Sequence, residues 1–590
     1  MSQNRIWRWT VICSLGLLVA LLAVGSRASA QDQAAGTSQA SGLRAVPGKV
    51  MGTAAPSVVR DVDVSALPQL VAPQAPQAVR SVPVLFPEGA AAHQARVNQV
   101  LSETGRLAPT GNNGPTAVTE ATPGASVGFG GLDENCSGLT PSDMGLAVNQ
   151  SFVVQVINSC ILVTNKSGVV QTGFPKSLGS FVGCTSCFLF DPRLTYDWAK
   201  NHFILVIDSS QGGFSTIWVA ASATSNPTGV WHISSYTFDS ANGDFADYPT
   251  LGFDPTAIYI GFNDFLAAGG FTNELWILNK TKIEGGLATS PAAFSGFGIC
   301  STTCAPVDTL QPVNVYNPND QPRAEYMVNS FNGSTAGLVG CGSSTTPCDG
   351  LILWAISSPL SGPSFSGVIV GTPSSYVFPT PATQPGCTTN TTGCMIETLD
   401  LRISGNVYYN HGSFYPTLET SIGGGENSTL TWEIEPQLSR AAKAIMSGAV
   451  VAKESGYFTG GANLRCTGSA IFGDAIPDSE GNLTMGFGFT STCDNPTFAY
   501  VTQRVSEVPF ATTWGQGDGG IDLVGGAGVY TGGACSSSSC TQRWGDYSSG
   551  SPDLQISNKV AMWFSGMFAE ASGIYGTVIG KNGYTSPTQP

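Results

Sequence analysis

"DYPTLGFD" spans Asp247–Asp254, and "DYSSGSPD" spans Asp546–Asp553. Each reads Asp-Tyr, five residues, Asp, and each runs into an apolar stretch. Relaxing the phrase recovers it along the chain. Pro192-x4-Asp197 precedes "HFILVIDSS", Pro312-x4-Asn317 precedes "AEYMVNSF", Ser469-x4-Asp474 precedes "LTMGFGFTS" and Met144-x4-Asn149 precedes "SFVVQVINS". A looser copy, "ETLDLRISG", precedes "NVYYNHGSF". Each copy is followed by a third apolar run, such as "TIWVAASA" (Thr216–Ala223) or "LILWAISSP" (Leu351–Pro359), and often by a fourth, such as "GVWHISSYTF" (Gly229–Phe238). The Asp or Asn falls where a hairpin must turn. Its side chain can bond its own backbone there.

The repeat predicts an all-β fold, a seven-bladed β-propeller with four-stranded antiparallel blades over residues 129–583. One such sheet cannot cover both of its faces; arranged radially, each covers its neighbour. Closing the ring needs one strand from the N-terminal side, for which Ser81–Gly89 or the segment before Phe129 are candidates. The composition agrees. Of 590 residues, 72 are Gly and only 11% are charged, which suits short strands and turns better than long helices.

Residues 1–30 read as a signal peptide. Arg5 and Arg8 precede the apolar run "TVICSLGLLVALLAVG", and Ala28-Ser29-Ala30 is a small-x-small cleavage site. The run is about 16 residues, short for a membrane span, and no later segment is long and apolar enough to cross. The expected location is secreted, periplasmic or cell-surface. Residues 31–128 form a low-complexity, partly disordered lead, with a short helix near 90–105 whose apolar stripe is Ala92, Val97, Val100 and Leu101. Residues 584–590 are a C-terminal tail. A formal net charge of −15 repels phosphate backbones and argues against nucleic acid as a partner.

Setting Cys13 aside leaves fourteen cysteines, an even number at local spacing. Proximity favours the bridges Cys136–Cys160, Cys184–Cys187, Cys300–Cys304, Cys341–Cys348, Cys387–Cys394, Cys466–Cys493 and Cys535–Cys540, although spacing alone does not fix connectivity. "CTSC" (Cys184–Cys187) lacks the second pair that a zinc site needs.

Several stretches, "SDMGLAVNQSFVVQVIN", "DPRLTYDWAKNHFILV", "NPTGVW", "DYPTLGFDPTAIYIGFN" and "RWGDYSSGSPD…MWFSGMF", resemble secreted bacterial propellers of sialidase-like, or BNR-repeat-like, architecture. The resemblance implies the propeller and leaves activity open. Sialidase-type Asp boxes (Ser-x-Asp-x-Gly-x-Thr-Trp) are missing; "DSEGNLTM" (Asp478–Met485) lacks the Trp and the spacing. The family's enzymes use three arginines and a Tyr–Glu pair. Arg193, Arg323, Arg402 and Arg543 lie near inner strands, but no Tyr–Glu pair can be placed beside them, so sialidase activity is not expected.

The first strands of a propeller line its channel. Asp143, Asp191, Asp247, Asp400 and Asp546 stand at or before their starts. Converging, they would make an acidic ring able to hold calcium or to pair two carboxylates for work on a sugar; otherwise each caps its own turn in solvent. Tyr248, Arg402, Arg543 and Trp544 join them as candidate ligand-binding residues, with packing between blades as the alternative. The loop "DSANGDFADY" concentrates Asp239, Asn242, Asp244 and Asp247 and is a candidate calcium loop, although not in EF-hand order. The four histidines offer no pair at metal spacing, and no Gly-x-Ser-x-Gly elbow occurs. The sequence therefore leans toward a non-catalytic binding or surface-scaffold propeller, with a glycan or an extracellular protein as partner. The alternative is a polysaccharide-acting hydrolase or lyase using paired carboxylates at the channel mouth.

Overall fold

The computed structural model describes residues 42–53, 55–70, 80–82, 85–102, 125–211, 214–238, 243–389, 392–457, 466, 468–478, 482–503, 521–533, 535–537, 540–556 and 559–582. The fold is mostly β. The signal segment and the C-terminal tail lie outside the described residues.

Val-, Ile-, Thr- and aromatic-rich runs form antiparallel strands in chain order. The first group is Gly145–Val148, Phe152–Ile157, Cys160–Asn165 and Lys176–Ser177. Next come Phe188–Asp197, His202–Gln211, Phe214–Ser222 and Val230–Phe238. Phe245–Phe253, Ala257–Phe265, Phe271–Asn279 and Ala292–Ser295 follow. Gln311–Asn314, Glu325–Ser330, Cys348–Ser357 and Ser364–Tyr376 pair in turn. Val407–Asn410 then leads through Ser413–Phe414 and Thr417–Gly423 to Glu426–Leu438 and Met446–Tyr457. Gly468–Pro477, Leu483–Ser491, Thr497–Gln503 and Ile521–Val524 form one more sheet. In the last, Ser549–Ile556, Lys559–Ala569 and Tyr575–Lys581 are completed by Val127–Asp133, which pairs with Tyr575–Lys581.

The opening strands of these groups touch in a cycle. Gly145–Val148 lies beside Phe188–Asp197, that beside Phe245–Phe253, and so on to Ser549–Ile556, which returns to Gly145–Val148. Both phrases carry a glycine at such an approach. A Cβ on Gly252 would stand 2.5 Å from Pro312, and one on Gly550 would stand 2.1 Å from Ile476. The space between groups is filled by large side chains; Trp231, Trp354, Trp432 and Trp563 are fully buried. Truncating any of them to Ala would cost about 3–5 kcal/mol. All seven disulfides join the cysteines that proximity pairs, in keeping with a non-cytoplasmic location. Among the described residues, no helix is long and apolar enough to cross a membrane.

The structure corrects several details of register. Asp474 does not cap a turn: it lies inside Gly468–Pro477, which carries an irregularity between Ile471 and Asp474, and Asp478 makes the turn, accepting from the Asn482 amide at 2.9 Å. "ETLDLRISG" is not a first strand. Asp400 and Arg402 pair within it, and Val407–Asn410 is the strand. Ser81 does not close the ring; Arg80–Ser81 pairs in parallel with Leu139–Thr140. The lead is not merely a spacer. Val58–Asp63 extends the sheet beyond Val230–Phe238, and Lys49–Thr53 extends it beyond Ala292–Ser295. Open sheet edges accept such alternating stretches. The helix Ala90–Ser102 buries Val97 and Val100, but Ala92 is exposed and His93 takes its place on the inner face.

Candidate functional site

The starts of the opening strands are built to turn side chains inward. Asp143, Asp191, Tyr248 and Phe472 all have left-handed backbone, with φ of 43°, 51°, 54° and 51°. Register shifts at Phe190/Arg193, Asp247/Thr250 and Ile471/Asp474 mark bulges at three of these starts. Bulges re-aim side chains next to functional sites, and a non-glycine residue with left-handed backbone costs of order 1–3 kcal/mol.

What the bulges bring together is a buried knot of charge and aromatics. Asp143 accepts from the Asp546 amide at 2.7 Å and from Asn158 Nδ2 at 2.6 Å, while Asn158 Oδ1 accepts from the Asp191 amide at 2.8 Å. Tyr248 and Tyr547, the tyrosines of the two phrases, meet edge to face at 5.7 Å. Tyr248 donates to the Asp546 carbonyl and Tyr547 to the Pro192 carbonyl, each at 3.2 Å. The Arg193 guanidinium lies 3.3 Å from the Tyr547 ring centre and 5.0 Å from that of Tyr248, and donates to the carbonyls of Pro249 and Ser404 at 3.0 Å. Arg402 grips Asp400 through two bonds, at 2.7 and 2.8 Å, and lies 4.4 Å over Tyr248. Arg543 bridges Glu397 at 2.5 Å and Asp546 at 3.1 Å. Tyrosines do stand beside the arginines, but their hydroxyls are given to backbone carbonyls rather than to a glutamate. Arg323 is elsewhere, donating to the carbonyls of Ser439 and Ala441.

Removal from water dominates the electrostatics. Burial, reinforced by Asp247 and Asp546, pushes the Asp191 carboxyl up to about 8. Burial pushes Asp247 up to about 7 although Arg402 opposes it. Burial and the charges of Asp546 and Asp191 hold Asp143 well above the usual carboxylate range. Burial and neighbouring Asp400 push Asp308 up to about 7. Asp400 differs: burial would raise it, but the Arg402 guanidinium and its bonds bring it below the ordinary value. One oxygen of Asp191 and one of Asp208 have no hydrogen-bond partner in the protein. Asp208 is also held well above its ordinary range, by burial and then by Asp247 and Asp191.

Beside the knot lies a cavity of about 670 Å³, walled on one side by the helix Ala90–Ser102 and on the other by Met395–Leu399, Gly533 and Arg543. Phe86 stacks on His93 at 3.6 Å and helps to roof it. Glu397 and Arg543 belong both to the cavity wall and to the knot. Burial raises the Glu397 carboxyl, and Arg543 partly offsets this. Glu397 sits in an irregular loop, and no spacing in the sequence marks it. Asp208 and His93 lie inside a strand and a helix whose apolar pattern hides them, and Asp308 lies in irregular chain with no spacing to mark it.

The remaining candidates are placed as follows. Trp544 is buried edge to face against Tyr530 at 5.0 Å. Of the proposed calcium loop, Asp239 and Asn242 lie outside the described residues. Asp244 caps the Ala267 amide at 2.8 Å, while Asp247 belongs to the knot. These two do not form a shared ligand set, and among the described residues no group of three or more His, Cys, Asp or Glu is arranged to hold a metal.

No protein-family model matches the chain, and no curated protein matches its sequence. Similar solved structures include an α-L-arabinanase from Cellvibrio cellulosa (8% identity, 64% of this chain and 96% of that one, TM-score 0.27). An exo-β-1,3-galactanase from Phanerochaete chrysosporium is 10% identical over 62% of this chain and 78% of that one, with a TM-score of 0.26. A sialidase from Trypanosoma rangeli is 10% identical over 71% of this chain and 55% of that one, with a TM-score of 0.27.

Proposed function

We propose that the chain is an exported, seven-bladed propeller of four-stranded blades that acts on a glycan, as a hydrolase or lyase, at the mouth of its central channel. The cycle of opening strands supports the blade count. The observation that carries the activity is the continuity of cavity and knot: Glu397 faces the cavity while its partner Arg543 reaches back to Asp546, amid carboxyls raised to near neutrality. Titratable groups whose environments push them apart are the mark of acid–base assignment. In this reading, Glu397 gives its proton to the departing glycosidic oxygen. In hydrolysis, water then adds its hydroxyl to the anomeric carbon and its remaining proton returns to the Glu397 carboxylate. Asp546 keeps Arg543 in place, and the buried acids behind it set the field.

The non-catalytic binding reading stands second. It is favoured by the near-complete burial of Asp143, Asp191, Asp247 and Asp546, which keeps those four from touching a ligand directly. One assay separates the two: release of new reducing ends or unsaturated products from a polysaccharide panel by the full chain and by Glu397→Gln. Release abolished in the variant supports the enzyme; binding without release by either protein supports the scaffold.

A further inference from the structure

We propose that the cavity under the helix Ala90–Ser102 selects an uncharged sugar, held between that helix and the Glu397–Arg543 wall. This rests on the glycan-acting reading and narrows it. Among the described lining residues the basic groups are Arg543 and His93. Arg543 is already met by two carboxylates, Glu397 at 2.5 Å and Asp546 at 3.1 Å. His93 is buried against Phe86 and lies 3.6 Å from Glu88. A uronic or sialic acid entering here would lose water from its carboxylate without gaining an uncommitted cation, and it would face Glu397. The arginines deeper in the knot, Arg193 and Arg402, do not line the cavity, and Arg402 is held by Asp400.

The wall is instead rich in neutral hydrogen-bonding groups. Gln94 and Asn98 stand one turn apart on the exposed side of the helix and bond each other at 3.1 Å, and both line the cavity. Thr388, Thr389 and Thr541 line it from the other side. Amides and hydroxyls both donate and accept, as sugar hydroxyls require. Phe86, Val97 and Met395 add apolar surface for a ring face. A volume of about 670 Å³ is of small-ligand size, which suits the end of a chain.

The test is calorimetric titration of the full chain with neutral xylo-, arabino- and galacto-oligosaccharides, and in parallel with oligogalacturonides and sialyllactose. Each is followed by product analysis. The expected result is binding of at least one neutral series, weakened about tenfold in Gln94→Ala/Asn98→Ala through the loss of two hydrogen bonds, with no binding of the acidic sugars. Both replaced residues are exposed, so an unchanged melting temperature should accompany the loss. Acidic sugars bound or cleaved in preference to neutral ones would overturn this inference and leave the glycan-acting reading standing. Neutral binding indifferent to the double variant would also overturn it. Neutral binding without cleavage would uphold it and sink the enzymatic reading. Binding of no sugar at all would overturn both.

Discussion

Asp247 lies within, and Asp254 just after, the strand Phe245–Phe253, seven positions apart in one short phrase. Asp254 uses its oxygens locally, accepting from the amides of Thr256 and Ala257 at 2.6 and 2.7 Å and from the hydroxyls of Thr256 and Tyr259 at 2.8 Å. Asp247 sits against a bulge, where it shares a buried site with Asp191, Asp546 and Arg402. The same contrast recurs along the chain. Asn149, Asp197 and Asp478 cap their own turns, while Asp143, Asp191 and Asp546 come together from different sheets. A carboxylate at the turn end is satisfied by its neighbours in sequence. One at the start is set by neighbours in space, and burial holds Asp143, Asp191 and Asp247 above the ordinary carboxylate range.

The largest expected effect separates the knot from the turns by activity. Glu397→Gln should lower kcat/KM for glycan cleavage by about 10²–10⁴-fold, the usual share of a general acid, whereas Asp254→Ala should leave kcat/KM near the wild-type value. Equal losses in the two variants would erase the distinction.

Stability should reverse the order. Asp254→Ala strips partners from two amides and two hydroxyls and should destabilise by about 2–3 kcal/mol in urea unfolding. Asp191→Asn removes a carboxyl already pushed toward neutrality by burial, and at pH 9 it should be neutral or stabilising.

The pH dependence sharpens this further. The folded values of Asp191 and Asp247, about 8 and about 7, stand above the ordinary 3.8. The folded state therefore binds more protons than the unfolded one between these limits. Their contribution is complete below about pH 4 and is lost as pH rises through 7 and 8. Urea unfolding should show lower stability at pH 9 than at pH 5, with the gap narrowed in Asp191→Asn. A modest loss belongs to Tyr248→Phe, which deletes one hydrogen bond to the Asp546 carbonyl and should cost about 1 kcal/mol.

Why the two ends differ also explains what could be read in the sequence. The turn aspartates were legible because their partners lie two or three residues away. The strand runs were legible from their apolar texture, and the disulfides from short separations. Spacing alone slips in one copy: the left-handed residue is Phe472, so the phrase starts at Gly473 and its turn residue is Asp478, four positions beyond Asp474. The knot was only half visible. The strand-start acids could be named, but whether they converged depended on bulges that leave no fixed sequence mark. Glu397 and the roof residue His93 sit in a loop and a lead segment whose places follow from tertiary packing alone. The lead itself read as low complexity, yet its valine-rich stretches found open sheet edges to extend.

The central claim, that Asp143, Asp191 and Asp247 share one buried site in which burial holds their carboxyls above the ordinary range, is tested most directly by an infrared titration of the carboxyl C=O band between pH 4 and 10. The account predicts a protonated band persisting above pH 6, lost around pH 7–8, and diminished in Asp247→Asn and Asp191→Asn but not in Asp254→Asn. Carboxyls that all ionise below about pH 5 in the folded wild-type protein would contradict it.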